Sequence, residues 1–231
     1  MSQRQMMQQS VSWLLPVAPD ADPDWLAECM NSVFECSKPL REYELVIILD
    51  DGAGKGNQSL RDGIVTQLSL PERVGVAVAL NCGLAVAKYP LIARIDADDR
   101  CLPSRMTLQM PLMADGIDVS GGGMLLDDGS GRIAELPPNE ISEQTLRKYL
   151  PICFHPTWII RRSILLECDG WPTAYPHAED FALACRMWKM GCKFANHGSP
   201  LIVKRQHPKR VSNVFRKEQR ESAKRAVLEL L

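Results

Sequence analysis

The run Tyr43-Glu44-Leu45-Val46-Ile47-Ile48-Leu49 has no polar side from Leu45 onward. A strand of this kind must be covered on both faces, and sheets made of such strands are parallel, with helices packed above and below. Val11-Ser12-Trp13-Leu14-Leu15-Pro16-Val17 and Leu91-Ile92-Ala93-Arg94-Ile95 are built in the same way. Behind Asp22-Pro23, which supply an N-cap and a first-turn proline, Trp25, Leu26, Cys29, Met30, Val33 and Phe34 recur at helical spacing. A helix is therefore predicted from Pro23 to about Cys36. Leu60, Ile64, Val65 and Leu68 predict a second helix that Pro71 ends, and Arg73 to Leu80 reads as a further strand. Asn81-Cys82-Gly83 would open a short helical turn. Strands alternating with helices define an α/β class with a mostly parallel central sheet and helices on both faces.

The second half is less regular. Met106, Leu108, Met110 and Leu112 mark a helix over Pro103–Ala114 that contains Pro111, and Asp118 to Leu126 reads as a strand. Gly121-Gly122-Gly123 within it suggests a bulge or a close backbone approach. Asp127-Asp128-Gly129-Ser130-Gly131 is hairpin-turn chemistry. Ile141 to Leu150 reads as a polar helix and His155 to Arg161 as a strand. Ser163 to Cys168 reads as a short helix, and Phe181, Ala182, Cys185 and Trp188 lie on a longer one. Phe194 to Val203 returns to the sheet, and Arg210 to Leu231 reads as a terminal helix.

Both strong acidic clusters fall at the carboxyl ends of predicted strands, Asp50-Asp51 after Leu49 and Asp96-Ala97-Asp98-Asp99 after Ile95. Ligands bind at that edge of an α/β sheet. Adjacent carboxylates repel and raise each other's pKa, so a folding chain has no structural reason to gather them there. A solvated acidic turn is one reading. The other is a hard divalent cation, Mn²⁺ or Mg²⁺, held by the oxygens; position at a strand end favours it. Glu179-Asp180 open a helix, where the helix dipole stabilises negative charge whatever the function.

A net charge of −1 excludes an electrostatic nucleic-acid binder. The polar, Gln-rich start carries no secretory core, and no apolar run is long enough to span a bilayer. The eight cysteines form no Cys-x-x-Cys pair, which argues against structural zinc and against a disulfide framework. A cytoplasmic location is expected. The organisation expected is a disordered segment over residues 1–10, a single domain over 11–207 and a basic helix over 208–231.

Taken in order, these segments resemble a family-2 glycosyltransferase, the inverting type with the nucleotide-diphospho-sugar transferase (GT-A) fold. The resemblance rests on Ser12–Val17, Glu44–Gly52, Ala79–Leu84, Leu91–Asp99 with Pro103-Ser104-Arg105 and Gln109, His155-Pro156, Glu179-Asp180-Phe181 with Arg186, and Arg205-Gln206-His207. It is nearest in character to the bacterial exopolysaccharide and lipopolysaccharide branch of amylovoran-type transferases.

The resemblance implies a nucleotide-binding half over 11–99 and an acceptor half over 100–207. It implies that Pro16, Asp51 and Asp96 meet the nucleotide sugar, Asp51 by accepting from uracil. Asp98 and His207 would hold the metal, and Asp180 would be the general base. Glu179, Arg186 and Arg94 would support the site or the acceptor, while Asp99 would cap the following turn. The partners implied are a UDP-sugar and a saccharide or lipid-linked saccharide. His207 alone would read as a surface histidine and His155 as a turn residue.

Ala18-Pro19 replaces the Tyr-Asn usual after the first strand, and Leu183-Ala184-Cys185-Arg186 lacks the usual tryptophan. These departures concern substrate contacts. A nucleotidyltransferase would need a basic, Gly-rich loop where Ala18–Asp22 stands. A non-catalytic sugar-nucleotide-binding protein of the same fold is a further alternative. From Lys204 to Arg225 nine basic residues face Glu218 and Glu221. That tail would be either a solvated helix or one lying on anionic lipid.

Overall fold

A computed structural model describes residues 9–55, 58–60, 63–137, 140–208 and 214–231. β1 (Ser10–Val17) lies between β2 (Glu42–Leu49) and β5 (Leu91–Arg94) and is parallel to both. β4 (Val65–Ser69) continues this parallel half beside β2, and β3 (Gln58–Leu60) closes it antiparallel. Beyond β5 the sheet becomes mixed. β9 (Ile159–Arg161) runs antiparallel to both β5 and β7 (Val119–Asp127). β10 (Phe194–Arg205) is parallel to β7 and carries β6 (Arg100–Cys101) antiparallel on its far edge. β8 (Arg132–Glu135) folds back on β7 through the expected turn. The strand order is β3-β4-β2-β1-β5-β9-β7-β10-β6.

Helices cover both faces, as strands without a polar side require. Trp13, Leu15, Leu45 and Ile47 point into one core, with Cys29 and Val33 of α1 (Pro23–Ser37) and Met106 and Met110 of a later helix, α3 (Arg105–Ala114). Leu14, Val46 and Ile48 point into the other, with Ala79, Leu80 and Leu84 of α2 (Val76–Val86) and Leu183 and Met187 of α6 (Glu179–Lys189). Burial of each such Leu or Ile contributes about 1.5–3 kcal/mol. Two short helices, α4 (Glu143–Arg147) and α5 (Arg162–Glu167), complete the body, and α7 (Arg216–Leu230) ends it.

The predicted second helix over Leu60–Leu68 and the predicted strand over Arg73–Leu80 exchange roles. Val65 and Thr66 are β-branched and follow Gly63 at φ 85°, so this stretch extends beside β2. The later stretch begins at Gly75, φ 82°, and winds into α2, absorbing the turn expected at Asn81–Gly83. Its Ala- and Val-rich sequence packs on β1 and β2 through Ala79, Leu80, Gly83 and Leu84, but is apolar nearly all round and so shows no helical period. Gly83 is where α2 comes closest to the sheet: a Cβ there would stand 2.9 Å from Ile48 Cδ1.

Ile141–Leu150 shortens to α4, capped by Ser142 Oγ, which accepts from the Thr145 amide at 3.2 Å. His155–Thr157 is a 3-10 turn and only Ile159–Arg161 pairs as strand. The three glycines of β7 are close approaches, Gly122 against Leu201, and the irregularity sits in β10 between His197 and Ile202. Ser10 is not disordered but pairs with Glu42; residues 1–8 lie outside the described residues.

The terminal helix buries Ala223, Ala226 and Val227, and part of this stripe packs beside α6. That leaves a lipid surface only its basic face with Val214, Phe215 and Leu228; Val211 lies outside the described residues. All eight cysteines are free, and no described helix is long and apolar enough to cross a membrane.

Candidate active site

The parallel strands deliver their acidic ends to one edge. After β2, Asp50 is consumed structurally: its carboxylate accepts from the amides of Val74 at 2.7 Å and Gly75 at 2.9 Å, fixing the entry to α2. Asp51 Oδ1 accepts from Ala53 N at 3.0 Å and Ser69 Oγ at 3.3 Å. Pro16, opposite Ile48, is half-buried near the end of β1.

After β5 the chain turns sharply, with Asp99 N donating to Asp96 O at 3.1 Å. The turn brings a carboxylate oxygen from each of Asp96, Asp98 and Asp99 within 4.8 Å of one another. Asp98 Oδ2 lies 2.8 Å from His207 Nε2, although 109 residues separate them. Oxygen donors joined by one imidazole suit Mn²⁺ and are compatible with Mg²⁺. Asp99 is buried, and its Oδ1 accepts from Arg205 N at 3.2 Å, so it ties the acidic turn to β10.

Arg205 makes the rest of that tie. Its Nε donates to Asp98 O at 3.0 Å, its Nη2 donates to Glu28, and its guanidinium lies 5.0 Å from the centre of the Trp25 ring. Trp25 also packs against the His207 ring at 5.2 Å. Trp25 and Glu28, one helical turn apart on α1, thus brace His207 and Arg205. The spacing of these two residues was visible in the sequence; what they face was not.

Beneath the turn, Arg105 and Gln109 form a buried network. Arg105 Nη2 donates to the carbonyls of Arg94 at 3.0 Å and Trp158 at 3.3 Å, and its Nε to Gln109 Oε1 at 3.1 Å. Gln109 Nε2 donates to Thr157 O at 2.9 Å and to Ser120. These residues hold the strand ends in register without reaching a ligand.

Glu179 and Asp180 form the first turn of α6, where the helix dipole favours negative charge. Asp180 Oδ2 stands 3.3 Å from His155 Nε2, and its side chain is 18% exposed. His155 is therefore both a turn residue and a partner of the proposed base. Arg94 is bound to the first carboxylate group, at Asp96, and lies within electrostatic reach of the second, Glu179 and Asp180. It is buried, its Nη2 donates to Asp96 at 3.0 Å, and Glu179 and Asp180 hold its charge in place. Its Nε and Nη1 have no hydrogen-bond partner among the described residues.

Arg186 is not part of this group: its Nη1 donates to the Cys168 carbonyl at 2.9 Å, closing the end of α5. Asn81 fixes the next stretch, accepting from Trp171 N at 2.7 Å and donating to Trp171 O at 2.9 Å. Gly170, φ 70°, makes room for it, since a Cβ there would meet Asn81 Oδ1 at 2.2 Å.

Burial and the neighbouring Asp180 push Glu179 up to about 7, against the lowering pull of Arg94. A carboxyl raised in the folded state binds its proton there more tightly than in the unfolded chain. Its stability contribution is full below the unfolded value near 4.5 and is lost as pH rises through about 7. Glu179→Gln is therefore expected to stabilise the fold relative to wild type at pH 8 by on the order of 1–3 kcal/mol, seen as a raised Tm. At pH 4.5 it should change Tm little. Thermal melts at the two pH values check this; an equal effect at both would show Glu179 ionised throughout.

This architecture recurs in solved glycosyltransferases of the GT-A fold. Staphylococcus aureus TarS 1-349 in complex with UDP superposes with a TM-score of 0.68 at 16% identity, over 96% of this chain and 66% of that one. The mannosyltransferase PcManGT from Pyrobaculum calidifontis, in complex with GDP-Man and Mn²⁺, superposes with a TM-score of 0.65 at 16% identity, over 92% and 61%. The protein is thus a GT-A-fold chain. Residues 16–168 match the model of glycosyl transferase family 2, and the chain belongs to that family.

Among curated relatives, the amylovoran biosynthesis glycosyltransferase AmsE of Erwinia amylovora is 28% identical over 75% of this chain and 68% of its own length. The O-antigen biosynthesis glycosyltransferase WbnJ of Escherichia coli is 33% identical over 48% of this chain. The chain spans 45% of the latter.

Proposed function

We propose that this chain is an inverting, metal-dependent glycosyltransferase that moves a sugar from a UDP-sugar to a saccharide hydroxyl in bacterial surface polysaccharide synthesis. The observation that carries the reading is the convergence of the Asp96, Asp98 and Asp99 carboxylates with His207 at the ends of the strands. Glu179 and Asp180 lie within electrostatic reach of Arg94, which is bound to Asp96. The names of AmsE and WbnJ support a polysaccharide product. A lipid-linked acceptor at the cytoplasmic side of a membrane is consistent with that product and with the basic face of α7.

Asp51 and Asp96 would bind the uridine and sugar of the donor, with Pro16 beside them at the end of β1. Asp51 Oδ2 makes no hydrogen bond to a described residue, which suits a ring N–H donor. Asp98 and His207 would hold Mn²⁺ or Mg²⁺, which supplies Lewis-acid neutralisation of the leaving diphosphate.

Asp180 accepts the proton of the acceptor hydroxyl as that oxygen forms its bond to the anomeric carbon. The bond from that carbon to the diphosphate oxygen breaks on the opposite face, and UDP leaves with the electron pair. Configuration at the anomeric carbon is inverted. His155 Nε2, 3.3 Å from Asp180 Oδ2, holds the carboxylate in place.

A nucleotidyltransferase is disfavoured by α1. Its N-terminal amides at Asp24 and Trp25 are taken by the Asp22 carboxylate, at 2.9 and 3.1 Å, where a phosphate would otherwise sit.

The test is thermal shift with UDP, GDP and nucleoside triphosphates, each with and without Mn²⁺. UDP with Mn²⁺ is expected to raise Tm by several degrees. At a ligand concentration of about 100 Kd, binding adds about 2.7 kcal/mol. Stabilisation by GDP instead would replace the donor, and no stabilisation by any nucleoside diphosphate would overturn the reading.

A further inference from the structure

The segment that delivers Glu179 and Asp180 is held by the last helix. Tyr175 Oη donates to Glu229 at 2.7 Å. Arg225 donates to the Ala174 carbonyl and lays its guanidinium 4.9 Å from the centre of the Tyr175 ring. Gln219 Nε2 donates to the His177 carbonyl at 2.9 Å. The His177 ring stacks on Phe215, with centroids 4.1 Å apart and planes 8° from parallel. Tyr175, Ala182 and Ala226 fill the space between.

His177 itself has φ 62°, two residues before Glu179. A non-glycine residue keeps a left-handed conformation only where its surroundings over-determine it, and such residues gather at functional sites. Here the two groups that hold His177, the Gln219 amide and the Phe215 ring, both come from the end of the chain. They lie beyond residues 16–168, the stretch matched by the family model.

We propose that α7 is a clasp that positions the base: Gln219 and Phe215 hold His177 left-handed and so set the direction in which Glu179 and Asp180 enter α6. The inference rests on the reading of Asp180 as base. Gln219 and Phe215 touch no reacting atom; they are positioning residues. A left-handed residue reverses the chain within one position, so release of His177 to an ordinary conformation would swing the Asp180 carboxylate away from the donor side. Displacement of a catalytic group by about 1 Å can cost about 100-fold in rate.

The experiment is hydrogen exchange on the full chain, carried out on Gln219→Met, Phe215→Leu, Phe215→Tyr and, as a control on the solvent side of α7, Leu228→Ala; Leu228 is 83% exposed. In Gln219→Met and Phe215→Leu, exchange of the peptide 174–181 should rise about tenfold as local opening of the segment becomes easier. The interior amides of α7 should keep their protection. Phe215→Tyr, which retains the stacked ring, should behave as wild type.

Hydrolysis of the UDP-hexose that best stabilises the protein with Mn²⁺ should show kcat lowered about tenfold at unchanged KM in the two loosened variants. Unchanged exchange and unchanged kcat would overturn the clasp, and so would loosening of α7 and the loop together, the mark of a helix that only docks. Asp180→Asn is run beside them. If it stays active the base assignment fails, while the exchange data still report whether α7 holds His177.

Discussion

Asp180→Asn is expected to lower glycosyl transfer by about 10²–10⁴-fold, the usual worth of a general base, and to leave UDP–Mn²⁺ binding unchanged. The substitution keeps the volume of the side chain and its position in the first turn of α6, but removes the basic oxygen that faces His155. An amide cannot accept the hydroxyl proton at neutral pH. The donor side is held from other elements: β2 supplies Asp51, the turn after β5 supplies Asp96 and Asp98, and the end of β10 supplies His207. The expected signature is therefore a loss in kcat with no change in the UDP thermal shift. Full activity in this variant would remove Asp180 as base and point to Glu179, whose pKa of about 7 also suits proton transfer. A lost thermal shift would mean that α6 and the nucleotide side are one structural unit.

Asp98→Asn should have the complementary effect. The carboxylate faces His207 Nε2 at 2.8 Å, and its own backbone carbonyl is held by Arg205, so the turn survives loss of the charge. Metal affinity is expected to fall by more than the roughly 10–100-fold that removal of an outer-shell partner costs. Both the Mn²⁺-dependent part of the UDP shift and hydrolysis of the UDP-sugar should vanish. Titration of Mn²⁺ by its paramagnetic signal reads the binding loss directly, without a turnover assay. Undiminished Mn²⁺ affinity would move the ion to Asp96 and Asp99, which lie within the same group of oxygens.

The carboxylates that matter were legible because their spacing is local. Two acidic clusters at strand ends need no tertiary information to stand out, and an apolar run without a polar side dictates that the strand before them is covered on both faces. Errors fell where local pattern is ambiguous. In Leu60–Leu68 a chance repeat of apolar residues imitated a helix, but β-branched residues behind a left-handed glycine joined the sheet beside β2. In α2, an apolar composition on nearly every side hid the helical period, although only Ala79, Leu80, Gly83 and Leu84 are buried. The basic tail left two readings open, a solvated helix or one lying on anionic lipid, because its apolar residues had no visible partner. The partner, α6 with the loop before it, lies some forty residues earlier in the chain.

The sequence by itself determined the α/β class, the strands that end in carboxylates and the candidates proposed for nucleotide, cation and proton binding. Only the tertiary structure decided how these residues are paired. His207 came to Asp98, Arg205 to Glu28 and Asp98, His155 to Asp180, and Arg186 away to Cys168. The physical reason is separation along the chain. Turn and strand preferences are set by neighbours a few residues apart. A contact such as that between Asp98 and His207 exists only because independent strands from both ends of the chain finish at the same edge of one sheet.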